Sequence, residues 1–299
     1  MHLTRTASVL AAATLAAAPL AAGLAGTAPA VQAAAGRTAA GRAAALTARL
    51  RPDHSASWKK GVGVWPFPGA RKALARSGVT WYYTWSTNHS GIREPRGIHF
   101  VPMIWGAGSV TTHNLSQARR QSSILLGFNE PELSRQSNVS VSRALRLWPR
   151  LMATGMRLGS PAVASEAATP GSWLDRFMRG AAARHYRVNF ITLHWYGGNF
   201  QTSAAVSGLK SYIQSVWARY HRPIWLTEFG IRRFFPTTFP TARQDTAFLT
   251  AATTMLQRLR YVWRYAWFAL PTTNGDGTGL FRPGPVATAA GRAFEKVDS

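Results

Sequence analysis

Two glutamates stand out by their surroundings. Glu130 directly follows Leu125-Leu126-Gly127-Phe128-Asn129, and Glu228 follows Ile224-Trp225-Leu226-Thr227. From Trp58 onward the only other carboxylates are Glu94, Glu132, Glu166, Asp175, Asp245, Asp276, Glu295 and Asp298, most of them where loops or helix ends are expected. A carboxylate among Trp, Phe and Leu side chains is costly to ionise, and neither Glu130 nor Glu228 precedes a helix as a capping acid would. Two such groups facing each other can cleave a sugar bond. One, protonated, assists the leaving oxygen while the other attacks the anomeric carbon or activates a water.

The elements that must position this pair are short apolar runs alternating with helical stretches. Strands are expected at 61–65, 80–85, 99–105, 123–129, 157–163, 189–195, 224–229 and 261–269. Several are apolar throughout, as in Phe100-Val101-Pro102-Met103-Ile104-Trp105, which suits parallel strands covered on both faces. Helices are expected at 69–76, 115–120, 140–154, 173–184, 204–220, 242–259 and 286–297. The Pro- and Gly-broken segment 91–97 predicts a shortened or missing helix after strand 2. Strand and helix alternating about eight times predict an α/β fold of the (β/α)8 (TIM) barrel type, in one domain over 58–299. In such a barrel, residues at the C-terminal ends of strands face a common site. That places Glu130 after strand 4 and Glu228 after strand 7. An open doubly wound sheet is the alternative, but no Gly-rich phosphate loop follows any strand, so no nucleotide cofactor is expected. No H-E-x-x-H or similar spacing occurs, and no metal is expected either.

Residues 1–33 have the composition of a secretory signal peptide: Arg5, an apolar Ala- and Leu-rich run, then small residues. Residues 34–57, rich in Ala, Gly, Thr and Arg, read as a disordered linker. A secreted, extracellular, monomeric protein is expected, without membrane association after signal cleavage. The chain has no cysteine, so neither disulfides nor thiol nucleophiles are available. Its net charge is +24, with 35 basic and 11 acidic residues. The arginines are scattered through every segment and no RNA-binding motif accompanies them, so a nucleic-acid partner is not expected. A basic surface could still hold the protein near anionic cell-wall polymers.

Four motifs, Leu-Gly-Phe-Asn-Glu-Pro-Glu (126–132), Leu-Gly-Ser-Pro-Ala (158–162), Leu-His-Trp-Tyr (193–196) and Pro-Ile-Trp-Leu-Thr-Glu-Phe (223–229), occur in order. Together they resemble glycoside hydrolase family 128. The resemblance implies a retaining endo-β-1,3-glucanase with a carboxyl separation of about 5–5.5 Å, Glu130 as acid/base and Glu228 as nucleophile. The substrate would be a β-glucan polysaccharide. Glu132 departs from the Asp usual among relatives. Asn129 resembles the asparagine that bonds the sugar 2-hydroxyl in such enzymes. Tyr196 is expected to donate to Glu228, and His194 to contact substrate or carboxylate. Of the tryptophans at strand ends (Trp65, Trp85, Trp105, Trp195 and Trp267), three are expected to stack on sugar: Trp105, Trp195 and Trp267. Alternatives are a non-catalytic glucan-binding protein on the same barrel, or a relative acting on another β-glycan.

Overall fold

The computed structural model describes residues 56–273, 275 and 277–297. The expected signal peptide and nearly all of the linker lie outside the described residues. Eight parallel strands form the barrel: β1 (Lys60–Gly63), β2 (Trp81–Tyr83), β3 (His99–Phe100), β4 (Ile124–Leu125), β5 (Arg157–Leu158), β6 (Ile191–Gly197), β7 (Ile224–Ile231) and, eighth around the barrel, β10 (Val262–Trp267). One continuous ladder runs β3-β2-β1-β10-β7-β6. β4 pairs with β5, and the bridges Met103↔Leu126 and Gly159↔Phe190 close the circle on either side. Ladders are sparse here because Pro102 and Pro161 have no N–H to give. Strands 3, 4 and 5 are therefore shorter than the sequence runs suggest. Gly127 lets the segments after β4 and β5 come close: a Cβ there would sit 2.7 Å from the Ser160 carbonyl oxygen.

Among the described residues seven α-helices surround the strands: α1 (Ala70–Arg76), α2 (Thr112–Gln121), α3 (Val141–Met152), α4 (Trp173–Ala183), α5 (Thr202–Tyr220), α6 (Ala242–Arg258) and α7 (Ala289–Glu295). Among the described residues no helix lies between β2 and β3, in line with the broken segment there. Thr111, Ser140, Ser172, Thr241 and Thr288 cap α2, α3, α4, α6 and α7 through their hydroxyl oxygens. The last helix begins later than the sequence suggests. Gly284, in the left-handed region, turns the chain so that β11 (Phe281–Arg282) and β12 (Val286–Ala287) form an antiparallel pair before it. A small hairpin, β8 (Arg233–Phe234) with β9 (Thr237–Thr238), follows β7. No helix of the described residues is long and apolar enough to cross a membrane.

The barrel interior is aromatic: Trp81, Tyr83, Phe190, Trp225 and Trp263 pack with Met103, Leu126 and Ala266. Phe190 and Trp225 stack at 4.5 Å, and the Arg264 guanidinium lies 4.6 Å from the Trp225 ring. Two buried lysines secure the first strand. Lys59 Nζ donates to the carbonyls of Gln257 (2.8 Å) and Leu259 (3.0 Å) at the end of α6. Lys60 Nζ donates to Phe294 (2.5 Å) and Val297 (2.9 Å) at the end of α7. Each ammonium thus meets carbonyls at or just past a helix C-terminus, at the negative end of the helix dipole.

Candidate active site

Strand register brings the chemistry together. His194 on β6 lies opposite Glu228 on β7. Glu130 follows β4 in a left-handed backbone conformation (φ 39°). Its N–H is held by the Ala162 carbonyl at 2.7 Å, and its carbonyl accepts from Leu133. A non-glycine residue in this region is strained unless its surroundings hold it. Here the loops after strands 4 and 5 do so, and the carboxylate is aimed inward. Glu130 and Glu228 are both buried. An oxygen of Glu130, a ring nitrogen of His194 and an oxygen of Glu228 all lie within 4.8 Å of one another.

The two carboxylates are dressed differently. Glu228 Oε2 accepts from the Tyr196 hydroxyl at 2.5 Å. Its Oε1 accepts from the Trp85 indole N–H at 2.8 Å and from Tyr83 at 3.3 Å, although the Tyr83 hydroxyl lies closer to the Thr227 carbonyl (2.9 Å). Glu130 has one such partner, His194 Nδ1, at 2.9 Å from its Oε1. His194 Nε2 approaches Glu228 Oε1 at 3.5 Å without hydrogen-bond alignment. An indole N–H can only donate, so the Trp85 contact requires a bare acceptor oxygen on Glu228. With both oxygens occupied by donors, the cluster offers a carboxylate pair and little room for a cation.

Burial has the largest effect on Glu228 and pushes its carboxyl above the ordinary value, with Glu130 adding to the rise; His194, Tyr196 and Trp85 oppose it. Burial alone would depress His194, but the carboxylates of Glu228 and Glu130 outweigh it and hold the imidazole above its usual value. Tyr83 and Tyr196 are held far above an ordinary phenol, first by burial and then by Glu228, and stay protonated as donors. Glu132 is pushed up to about 7 by burial, against the Ala164 N–H that its Oε1 accepts at 2.5 Å.

The structure places the remaining expected residues unevenly. Asn129 is buried beside Glu130, and its Oδ1 has no hydrogen-bond partner. Trp105, five residues beyond β3, is 36% exposed, and its carbonyl accepts from the Asn129 N–H. His194 is fully buried, so its contacts are to carboxylates and the expected substrate contact is withdrawn. Two tryptophans are also corrected. Trp195 lies between His194 and Tyr196 on β6 and points the opposite way, stacking on Phe248 of α6 at 5.8 Å. Trp267 has no exposed surface; it packs on Phe229 and donates to the Thr278 carbonyl at 2.9 Å. Both belong to the layer between strands and helices.

In their place stand Trp65 and Trp85, whose rings lie 5.9 Å apart, with Phe268 within 6.0 Å of each. Both indoles are only partly buried. Trp85 has a left-handed backbone (φ 54°), which carries its indole over Glu228. Sequence position marked both as strand-end tryptophans. Tyr83, the third donor to Glu228, carried no signal beyond its place in an aromatic strand.

A closed parallel barrel with one glutamate after its fourth strand and a second on its seventh has the architecture of a glycoside hydrolase. Residues 62–294 match the family described as glycosyl hydrolase catalytic core, and the chain belongs to glycoside hydrolase family 128. A subgroup I endo-β-1,3-glucanase from Amycolatopsis mediterranei, solved with laminaritriose, is 50% identical, with 80% of this chain and 99% of that one covered and a TM-score of 0.78. A subgroup II endo-β-1,3-glucanase from Pseudomonas viridiflava is 26% identical, covering 81% and 98%, with a TM-score of 0.64. Alkali-sensitive linkage protein 1 of Schizosaccharomyces pombe is 32% identical over 234 residues, 75% of this chain. The chain spans 41% of that relative's length.

Proposed function

We propose that the protein is a secreted endo-β-1,3-glucanase working by double displacement, with Glu130 as acid/base and Glu228 as nucleophile. The observation that carries the assignment of roles is the asymmetry of donors. Three neutral donors surround Glu228, the arrangement a carboxylate anion requires. Glu130 has only His194, which leaves it free to carry a proton. An approach of the two carboxylates to within 4.8 Å suits direct attack, whereas inversion needs about 6.5–9.5 Å to admit a water. The solved relatives with laminari-oligosaccharides support β-1,3-glucan as the substrate.

In the first step Glu130 gives its proton to the leaving oxygen as a Glu228 oxygen bonds the anomeric carbon. In the second, Glu130 takes a proton from water, which displaces Glu228. His194, bridging the pair, donates to Glu130 and offsets charge as the proton moves. Tyr196 and Trp85 stabilise Glu228 each time it leaves. The buried, unpartnered Asn129 Oδ1 offers an acceptor to a sugar hydroxyl beside the acid.

Glu228→Gln is expected to abolish hydrolysis of laminarin while the fold survives. Glu130→Gln is expected to slow it by about 10²–10⁴-fold, to spare aryl glycosides with good leaving groups, and to be rescued by azide with a β-glycosyl azide product. Appreciable turnover by Glu228→Gln, or an α-azide product, overturns the roles. Digestion of laminarin, curdlan, pustulan, lichenan and mannan tests the linkage.

A further inference from the structure

We propose that the outer faces of α2, α3 and α4 form a docking surface for a base-free polyanion, a polymer of phosphodiester-linked units such as poly(glycerol phosphate). The arginines look scattered in sequence, but the fold gathers them. These helices follow three neighbouring strands, joined by the Met103↔Leu126 bridge and the β4–β5 pair. α3 packs directly on α4 through Trp148 and Phe177, whose rings are 4.9 Å apart. α3 turns Ala144, Leu145, Trp148 and Leu151 inward, which leaves Arg143, Arg146 and Arg150 in an exposed row. Arg119 on α2 and Arg176 on α4 are exposed as well.

No carboxylate answers this charge. The three helices contain one acid, Asp175, which is buried and paired with Arg219 and Arg179. Local helix physics does not ask for the row either. Like charges at i, i+3 and i+4 destabilise a helix slightly, and Arg143 stands in the first turn, where the helix dipole favours an acid. A ligand carrying many negative charges would offset these costs. Guanidinium groups suit phosphate because they meet it with paired N–H donors. The large aromatic side chains of these helices, Trp148, Trp173 and Phe177, are buried, so the face has no stacking platform for nucleobases. A base-free polymer therefore fits it better than a nucleic acid. Docking on this flank leaves the mouth of the barrel, where Glu130 and Glu228 stand, open to glucan.

The test uses fluorescently labelled poly(glycerol phosphate) as probe, with affinity measured across a salt series. One variant carries Arg143→Gln, Arg146→Gln and Arg150→Gln. The control carries Arg243→Gln, Arg258→Gln and Arg260→Gln, exposed positions on or after α6, and loses the same net charge. The flank variant is expected to bind at least about tenfold more weakly and to show a slope of log affinity against log salt shallower by about two, from about 0.7 per phosphate contact. The control is expected to change less than about threefold, and both should hydrolyse soluble glucan at the parent rate. Equal losses in the two variants would show that net charge alone acts and would overturn the proposal. So would failure of the parent to bind in a salt-dependent way, or tighter binding of single-stranded DNA than of the base-free polymer.

Discussion

Replacing Tyr196 by Phe removes one hydroxyl and nothing else from the wall around Glu228. That hydroxyl donates at 2.5 Å to Oε2, the oxygen that Trp85 and Tyr83 do not reach. A hydrogen bond to a charged group contributes about 1.5–3 kcal/mol, and one pKa unit corresponds to about 1.4 kcal/mol. Glu228 is buried, so solvent replaces little of the loss. The carboxyl should therefore rise by about one to two units. The sign follows from the role: the nucleophile works ionised, so activity falls as pH drops through its pKa, and a higher pKa moves that acid limb upward. The assay is the pH profile of kcat/KM on a soluble laminari-oligosaccharide, which reports groups of the free enzyme. Tyr83→Phe is the internal comparison. Its hydroxyl is farther away and shares its hydrogen with the Thr227 carbonyl, so its shift should be the smaller. An acid limb that stays in place in Tyr196→Phe, or moves more in Tyr83→Phe, refutes the reasoning.

Glu132 gives a prediction about stability. Burial raises its carboxyl to about 7, so the folded state holds the proton more tightly than the unfolded chain. Stability is then greatest below the ordinary carboxylate range and declines as pH rises through about 7. Glu132→Gln, which keeps an acceptor for the Ala164 N–H, should leave stability nearly unchanged at pH 4 and raise it by about 3 kcal/mol at pH 8, as read by chemical denaturation at the two pH values. Lys60→Ala takes a donor from two carbonyls and removes an ammonium 4.5 Å from the Phe294 ring. It should destabilise the barrel by about 2–4 kcal/mol, measured as a lower denaturation midpoint at unchanged slope.

The barrel was legible in sequence because its strands, buried on both faces, are apolar throughout and alternate with helical stretches. Glu130 and Glu228 were legible because a carboxylate ending such a run has no structural reason to be there. The tryptophans were not, and for two different reasons. Trp195 is flanked by His194 and Tyr196; side chains alternate along a strand, so pointing those two at Glu228 sends Trp195 the other way. That much the sequence contained. Trp85 reaches Glu228 only because its backbone turns left-handed (φ 54°), and no residue pattern announces that. Tyr83 depends on barrel closure, which brings it to a residue 145 positions away.

The paired lysines at the start of β1 have a consequence for how the chain is made. Lys59 and Lys60 leave the ribosome early, yet their acceptors lie 197 to 237 residues further along. β1 likewise pairs with β10, the last strand of the barrel. Until α6, β10 and α7 have been synthesised, two ammonium groups lack these carbonyls and one edge of the sheet lacks its neighbouring strand. The barrel can grow strand by strand during translation, but it can lock only after the last helix emerges. Such long-range closure slows folding and leaves an open edge meanwhile. A nascent chain truncated before Phe294 would carry both glutamates and still lack the carbonyls of Phe294 and Val297 that Lys60 reaches.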